Sequence, residues 1–444
     1  MTVQSLSRPA QTASRSIPSA SFGESLRFAL FQLLPNILQG LFKRKPSAIG
    51  LFNALGTDRR AVALISRLHK KYGDSVHLRF GGLLLMGMDG VRHVLDHSPD
   101  VYADPPTKRN GMSHFQPDAV TISRGETWKD RRRFNEAVLS THQRAHPHAV
   151  KFLAAAQEEV GRLEGRSEIA WRDFEDVFER ITLRVLFGDG ARDDRATSDH
   201  LKSLMKEANR RLRGPSPQPS EHLKPFQDAI QGYIDKAEPG SLAASAAATP
   251  AGPDTRPARQ FPHWMFAMRD TDAANTARAL ALILSHPDTE RRVRKEIEGV
   301  DISTPEGIGQ LRFLEACIQE AMRIWPTTPL LSREAIADDV LGGAPVPKGT
   351  QVLVSNTFLH RDGFPEADTF SPHRWLDNDG YGDRFQHFSS GPQGCAGVHL
   401  ALFIAKAVIA TLLRRRYELI EPPLDPSEPL PHAYNYFRVR FAGR

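Results

Sequence analysis

Cys395 is one of only two cysteines in this 444-residue chain, and its neighbours are unusual company for a core thiol. Gly391, Pro392, Gly394 and Gly397 flank it, and an apolar run with helical spacing (Val398, Leu400, Leu402, Ile404, Val408) follows. A glycine-rich loop can bring its backbone close to a flat partner. Free N–H groups and the dipole at a helix start favour a thiolate over a thiol. A thiolate held this way is an axial ligand for haem iron; without further context the same cysteine reads as buried and inert.

Charged residues elsewhere add to this. Glu320 and Arg323 lie three apart within an apolar helical pattern of Leu314, Ala316, Cys317, Ala321 and Ile324, so they share a face and can pair. On a surface such a pair is common and contributes little. Trp128 and Arg132, four apart, share a face of another helix. Asp270 stands beside Thr271 in a long run that Pro262 opens and Pro287 closes.

The elements that must position these residues are mainly helices. Apolar spacing predicts them near 127–139, 146–164, 170–187, 197–212, 220–237, 262–286, 288–298 and 308–325. A hairpin is predicted over Ser75–Phe80 and Leu83–Met88, with short strands at Leu331–Ala335, Gln351–Ser355, Tyr417–Ile420 and Phe437–Phe441. Tyr102–Ser123 lacks periodicity and reads as a long functional loop. The Ala/Ser/Pro/Gly-rich stretch between Pro239 and Pro257 reads as a mobile surface connection. No strand–helix alternation indicates a doubly wound sheet, so the expected fold class is mainly α with small β-sheets, in a single domain.

The stretch Phe388-Ser-Ser-Gly391-Pro-Gln-Gly394-Cys395-Ala-Gly397 resembles the haem-binding loop of the cytochrome P450 family. Phe388, Gly391, Cys395 and Gly397 fall on the family's pattern, while Gln393 stands where a cation is usual. The resemblance extends over about residues 55–442 and keeps the family's order: Trp128 and Arg132, then Glu320-x-x-Arg323, then Arg374 beside Pro372, then the cysteine loop. It implies the P450 fold and haem b (iron protoporphyrin IX), with Cys395 as the metal ligand. Glu320, Arg323 and Arg374 would form a buried network behind the loop, and Trp128, Arg132 and Arg333 would face the haem propionates.

Along the long helix, the family's Ala/Gly-Gly-x-Asp/Glu-Thr-Thr falls on Ala267 to Asp272. The resemblance places Ala267 against the cofactor and makes Asp270 and Thr271 the catalytic pair that delivers protons to bound dioxygen. Met268 replaces a glycine and is expected to narrow the oxygen-side pocket or sit in the groove that a glycine would open, Asp272 replaces a second hydroxyl, and Arg269 is expected to face away, into solvent or an ion pair. The substrate pocket is expected to include His114, Phe115, Met268, Pro329 and Leu330.

Composition bounds the rest. Lys and Arg (58) exceed Asp and Glu (52) by six, too mild and scattered an excess for a nucleic-acid partner. The apolar run Phe28–Phe42 is 15 residues long, too short for a transmembrane anchor; packing on the protein body is expected, with an interfacial helix as the alternative. Residues 1–45 read as a tail with a short amphipathic segment, partly disordered, ahead of a haem domain over 46–444. Two cysteines leave no disulfide framework, so a reducing cytoplasm is expected. Lys129, Arg131–Arg133 and Arg414–Arg416 would suit an acidic ferredoxin, served by a ferredoxin reductase. The expected protein is a monomeric monooxygenase of secondary metabolism that inserts one atom of dioxygen into a small lipophile, with a terpenoid as the first guess and a fatty acid next. The alternatives are a P450-fold enzyme that does not activate dioxygen (peroxygenase, isomerase or dehydratase) and a non-enzymatic haem sensor or carrier.

Overall fold

The computed structural model describes residues 16–212, 214, 219–363, 366–376 and 384–443. The periodic segments form the helices Gly125–Val138, Ala149–Gly161, Trp171–Phe187, Arg195–Ala208, Leu223–Lys236, Pro287–Glu298, Arg312–Ile324 and Val398–Leu412. Trp171–Phe187 is central: Phe174, Val177, Phe178, Ile181, Leu183, Val185 and Leu186 are all buried, so nearly the whole circumference of its C-terminal half meets other helices. Val398–Leu412 is likewise buried from Leu402 to Ala410, which anchors the start of the helix that follows Cys395.

The long run is one continuous rod in three parts. Phe261–Phe266 and Ala273–Ser285 are α-helical, and Ala267–Asp272 between them is a π-helix. Pro262 sits in its first turn, where a missing N–H costs nothing. Such widened turns are frequent at functional sites.

A five-stranded sheet orders Ser75–Leu78, Gly82–Leu85, Gln351–Ser355, Leu330–Ala335 and Tyr102–Ala103. Gly82–Leu85 runs parallel to Gln351–Ser355, and Leu330–Ala335 is antiparallel to the latter with Arg333 opposite Val352. That register fixes Leu330 to Arg333 immediately after the Arg312–Ile324 helix. A second sheet joins Glu168–Ala170, Arg440–Gly443 and Tyr417–Glu421, and a small hairpin pairs Asp339–Leu341 with Ala344–Val346. The fold is mainly helical with small sheets in one domain, as expected.

Three local expectations change. The segment between Pro239 and Pro257 holds a helix, Leu242–Ala248, capped by the Ser241 hydroxyl, with Leu242 and Ala243 fully buried. Small alanines let it lie flat against its neighbours, so a linker-like composition is core here. Tyr102–Ser123 contains the strand Tyr102–Ala103 and the helix Pro106–Ser113. Residues 16–45 are not a separate tail: Phe28 is 1% exposed, Ala20 pairs with His77, and Lys43 reaches Asp270. Residues 1–15 of the expected tail lie outside the described residues. The helices over Phe22–Leu38 turn Phe28 and Gln32 inward and leave Phe22, Leu26, Leu30, Leu34 and Leu38 exposed. Among the described residues no helix is long and apolar enough to cross a membrane.

Candidate functional site

The cysteine loop is held by its own backbone. Cys395 N–H donates to Phe388 O at 2.9 Å, and Gly394 N–H donates to Gly391 O at 2.9 Å. Gly391 has φ +66°, and a Cβ there would run into the Leu95 carbonyl oxygen, so glycine is required where the loop abuts the Met88–Asp96 helix. Cys395 keeps accessible surface even though protein packs around its sulfur. Burial pushes the thiol up; the Gly397 backbone N–H and the Arg132 charge pull the other way, and Asp272 adds to the rise.

Behind the loop stands the acid–base network. Glu320 and Arg323 are both 0% exposed and meet in a two-pronged pair, Arg323 Nε to Oε2 at 2.9 Å and Nη2 to Oε1 at 2.8 Å. Trp375 Nε1 donates to Glu320 Oε2 at 2.9 Å, and Arg374 Nε approaches Oε1 at 3.4 Å. The remaining guanidinium hydrogens go to the carbonyls of His360, Ala367 and Thr369. His360 completes the link: its Nδ1 meets Arg323 O at 3.1 Å, and its Nε2 accepts from Gln386 N–H at 2.8 Å. Burial holds this ring neutral, which fixes Nε2 as the acceptor. His360 thus ties the Glu320 helix to the residues that enter the cysteine loop. No motif pointed to it, and a single histidine between apolar residues offers no sequence signal.

At the loop's edge, Arg132 Nη1 donates to Gly394 O at 2.6 Å and Nε to Glu136 at 2.7 Å, while Trp128 is buried on the same helix. Arg333 Nη1 donates to Asp104 Oδ1 at 3.1 Å, and Lys108 Nζ donates to the same oxygen at 2.9 Å. Burial alone would raise Asp104, but those two cations hold it below the usual carboxylate range. Of the expected basic surface, Arg131 is buried against Asp118 and Ser123, whereas Arg133 and Arg414–Arg416 are exposed.

The long helix faces a cavity of about 390 Å³ with Phe266, Asp270, Thr271, Ala274 and Arg278. Pro329 and Leu330 line it too; His114, Phe115, Met268 and Ala267 do not. The π-helical turn widens the helix, so counting 100° per residue from Thr271 misplaces Met268. Met268 packs in the helical core, Phe115 packs against Phe42 and Phe266, and His114 turns to Glu207 at 2.6 Å. Asp270 meets Lys43 Nζ at 2.9 Å and Arg269 Nε at 3.0 Å. Burial would raise that carboxyl, but the two cations hold it low and ionised. Arg269 is therefore buried in an ion pair and also donates to Ser198 O. Asp272 is buried, its Oδ2 has no partner among the described residues, and burial pushes it well up.

The cytochrome P450 family model matches residues 254–434, a stretch that holds Asp270, Glu320, Arg323, Arg333, Arg374 and Cys395 in order. This stretch, less than half of the chain, is similar to the cytochrome P450 family. Among the P450s it is similar to human aromatase, 38% identical over 156 residues that make up 34% of this chain and 31% of aromatase. It is also similar to cytochrome P450 4c3 of Drosophila melanogaster, 34% identical over 163 residues (34% of this chain, 30% of that protein). The probable cytochrome P450 4s3 of the same fly is 34% identical over 165 residues. The aligned stretch spans about a third of the length of these curated relatives, 30–33%.

P450s bind haem through a cysteine thiolate, and the residues of this chain fit that cofactor. Cys395 is accessible, so its sulfur is open to a ligand. Gln393 Oε1 and Ser389 Oγ in the cysteine loop, with Arg333 Nε and Asp272 Oδ2 elsewhere, are buried without hydrogen-bond partners among the described residues. Buried polar atoms are rarely left so. Of these, the Arg333 Nε–H and the Ser389 hydroxyl are donors that a carboxylate edge of a flat macrocycle would accept from. His387 adds no cation, because burial drives its ring to about 3 and it packs between Trp375 and Phe388.

Proposed function

We propose that this protein is a haem-thiolate monooxygenase that inserts one atom of dioxygen into a small, largely apolar molecule. The observation that carries this reading is the accessible Cys395 sulfur, met by the Gly397 N–H at a helix start. When bound, the haem supplies the redox chemistry that splits dioxygen and transfers one oxygen atom. Cys395 would be the axial ligand. Glu320, Arg323, Arg374, Trp375 and His360 hold its loop in place, acting through the backbone rather than on the substrate. Trp128, Arg132 and Arg333 would face the propionates, with Arg333 keeping Asp104 and Lys108 as neighbours. Phe388, Gly391 and Gly397 shape the loop, and Ala267 belongs to the turn that lets the long helix pass.

Asp270 and Thr271 share the cavity wall. An ionised Asp270 accepts protons and passes them on, while Lys43 and Arg269 fix its orientation. Phe42, Met112, Phe266, Leu331 and Phe437 give the cavity an apolar side that suits a terpenoid-like body. Electrons would come from a ferredoxin docking at Arg133 and Arg414–Arg416; unchanged reduction rates in Arg133→Glu and Arg414→Glu would remove that partner. A monomer in a reducing cytoplasm fits two unpaired cysteines.

A second reading has one observation in its favour. Asp270 is clamped by two cations, and a clamped acid relays protons less readily than a free one. An isomerase, dehydratase or peroxygenase on this fold would not need the relay. Oxygen consumption with a reduced ferredoxin separates the two: consumption that rises with substrate supports the monooxygenase, and product without consumption supports the second reading.

A further inference from the structure

The cavity has a charged end that an apolar substrate does not explain. Arg44 and Arg278 both line it, one from the segment after the Leu34–Leu38 helix and one from the long helix. Both are anchored on the stretch that follows the Glu320 helix: Arg44 Nη2 donates to Thr327 O at 3.1 Å, and Arg278 Nη1 donates to Trp325 O at 3.0 Å. Arg44 Nη1 reaches Gly40 O, and the Arg278 guanidinium lies 4.7 Å over the Tyr436 ring.

Among the described residues neither is paired with a carboxylate, and Arg278 Nε is buried with no partner. The acids on the same wall are otherwise placed: Asp270 is held by Lys43 and Arg269, and Glu175 lies 4.0 Å from Lys43. Asp58 feels Arg44 at longer range, and burial pushes its carboxyl up. Burial also pulls Arg278 down to about 10, as expected of a guanidinium whose charge has no counter-ion beside it.

Buried cations are normally paired. Two guanidiniums anchored on neighbouring carbonyls and lining one cavity form a fork suited to a planar oxyanion. Phe42, Phe266 and Leu331 border the same space. We infer that Arg44 and Arg278 form a carboxylate-binding subsite, so that the substrate is an amphipathic organic acid whose apolar body lies toward Thr271. This deepens the monooxygenase reading and rests on it for the word substrate, but the binding itself does not depend on haem chemistry.

The test is calorimetric titration of the full-length holoprotein with two acid–alcohol pairs, geranate with geraniol and dodecanoate with dodecan-1-ol. Each acid should bind about tenfold or more tightly than its alcohol, the factor expected of a charge-assisted fork. Arg278→Gln and Arg44→Gln should each erase most of that preference and leave alcohol affinity within about twofold. Arg278→Lys, which keeps the charge and loses the fork, should recover part of it. Should Arg278→Gln fail to fold by circular dichroism, Arg44→Gln, outside the long helix, carries the test. Acids that bind no better than their alcohols, or acid and alcohol weakened alike in the variants, overturn the subsite. The optical spectrum of the same preparation separates the two readings: a thiolate-haem spectrum without acid preference refutes the subsite alone, and acid preference without that spectrum refutes the haem reading alone.

Discussion

Arg323→Met should be among the most damaging single changes in the chain. The guanidinium and the Glu320 carboxylate are both fully buried, and Arg323 also ties down the carbonyls of His360, Ala367 and Thr369. Removing it leaves Glu320 charged in the core with Trp375, the Ser371 N–H and Arg374 as its remaining donors. Stranding one partner of a buried pair costs about 3–5 kcal/mol. Glu320→Gln strands Arg323 in the same way and should cost a similar amount. The double variant strands neither charge, so its loss should fall short of the sum by about 1–3 kcal/mol. Urea unfolding followed by far-UV circular dichroism on the four proteins measures the cycle. Losses that add to within about 0.5 kcal/mol would refute the account of these residues as one buried unit.

Three further outcomes follow from the same geometry. His360→Phe removes the hydrogen bonds that its ring makes to the Gln386 N–H and the Arg323 carbonyl and should cost about 2–4 kcal/mol, with haem lost in dilute urea before the helices melt; unfolding and haem loss that stay coincident would count against a link to the loop. Asp270→Asn should slow product formation at least about tenfold while substrate affinity stays within about twofold, which steady-state rates and calorimetry resolve. Burial would raise Asp368, but His432 and Arg361 bring it down to about 2; a depressed carboxyl contributes stability that is present above its unfolded value near 3.8 and lost as pH falls toward 2, so Asp368→Asn should flatten the unfolding midpoint between those pH values.

The parts of the site that chemistry ties to fixed spacing were legible in the sequence. Glu320 and Arg323 are three apart because one helical turn must present both to the same point, and Gly391 is glycine because the backbone turns with positive φ against Leu95. What spacing does not encode was missed. His360, Trp375 and Lys43 reach the site from far along the chain, and no local pattern marks them. The π-helical turn over Ala267–Asp272 shifted Met268 off the cavity wall, because a helical wheel assumes the ordinary pitch, while Arg269 sits in an ion pair, one of its two expected places. Arg131 looked like part of a solvated cluster, yet Asp118, Ser123 and the Asp254 carbonyl enclose it, contacts that sequence order hides. The alanines of Leu242–Ala248 resembled a linker for a similar reason: small side chains pack closely only when a partner surface is known.

The most direct test of the central claim is the optical spectrum of the purified haem-loaded protein beside that of Cys395→Ala. The account predicts a thiolate-haem signature in the parent chain that is absent from Cys395→Ala, with both proteins showing the same helical content. A parent spectrum without that signature, or one that Cys395→Ala leaves unchanged, would contradict it.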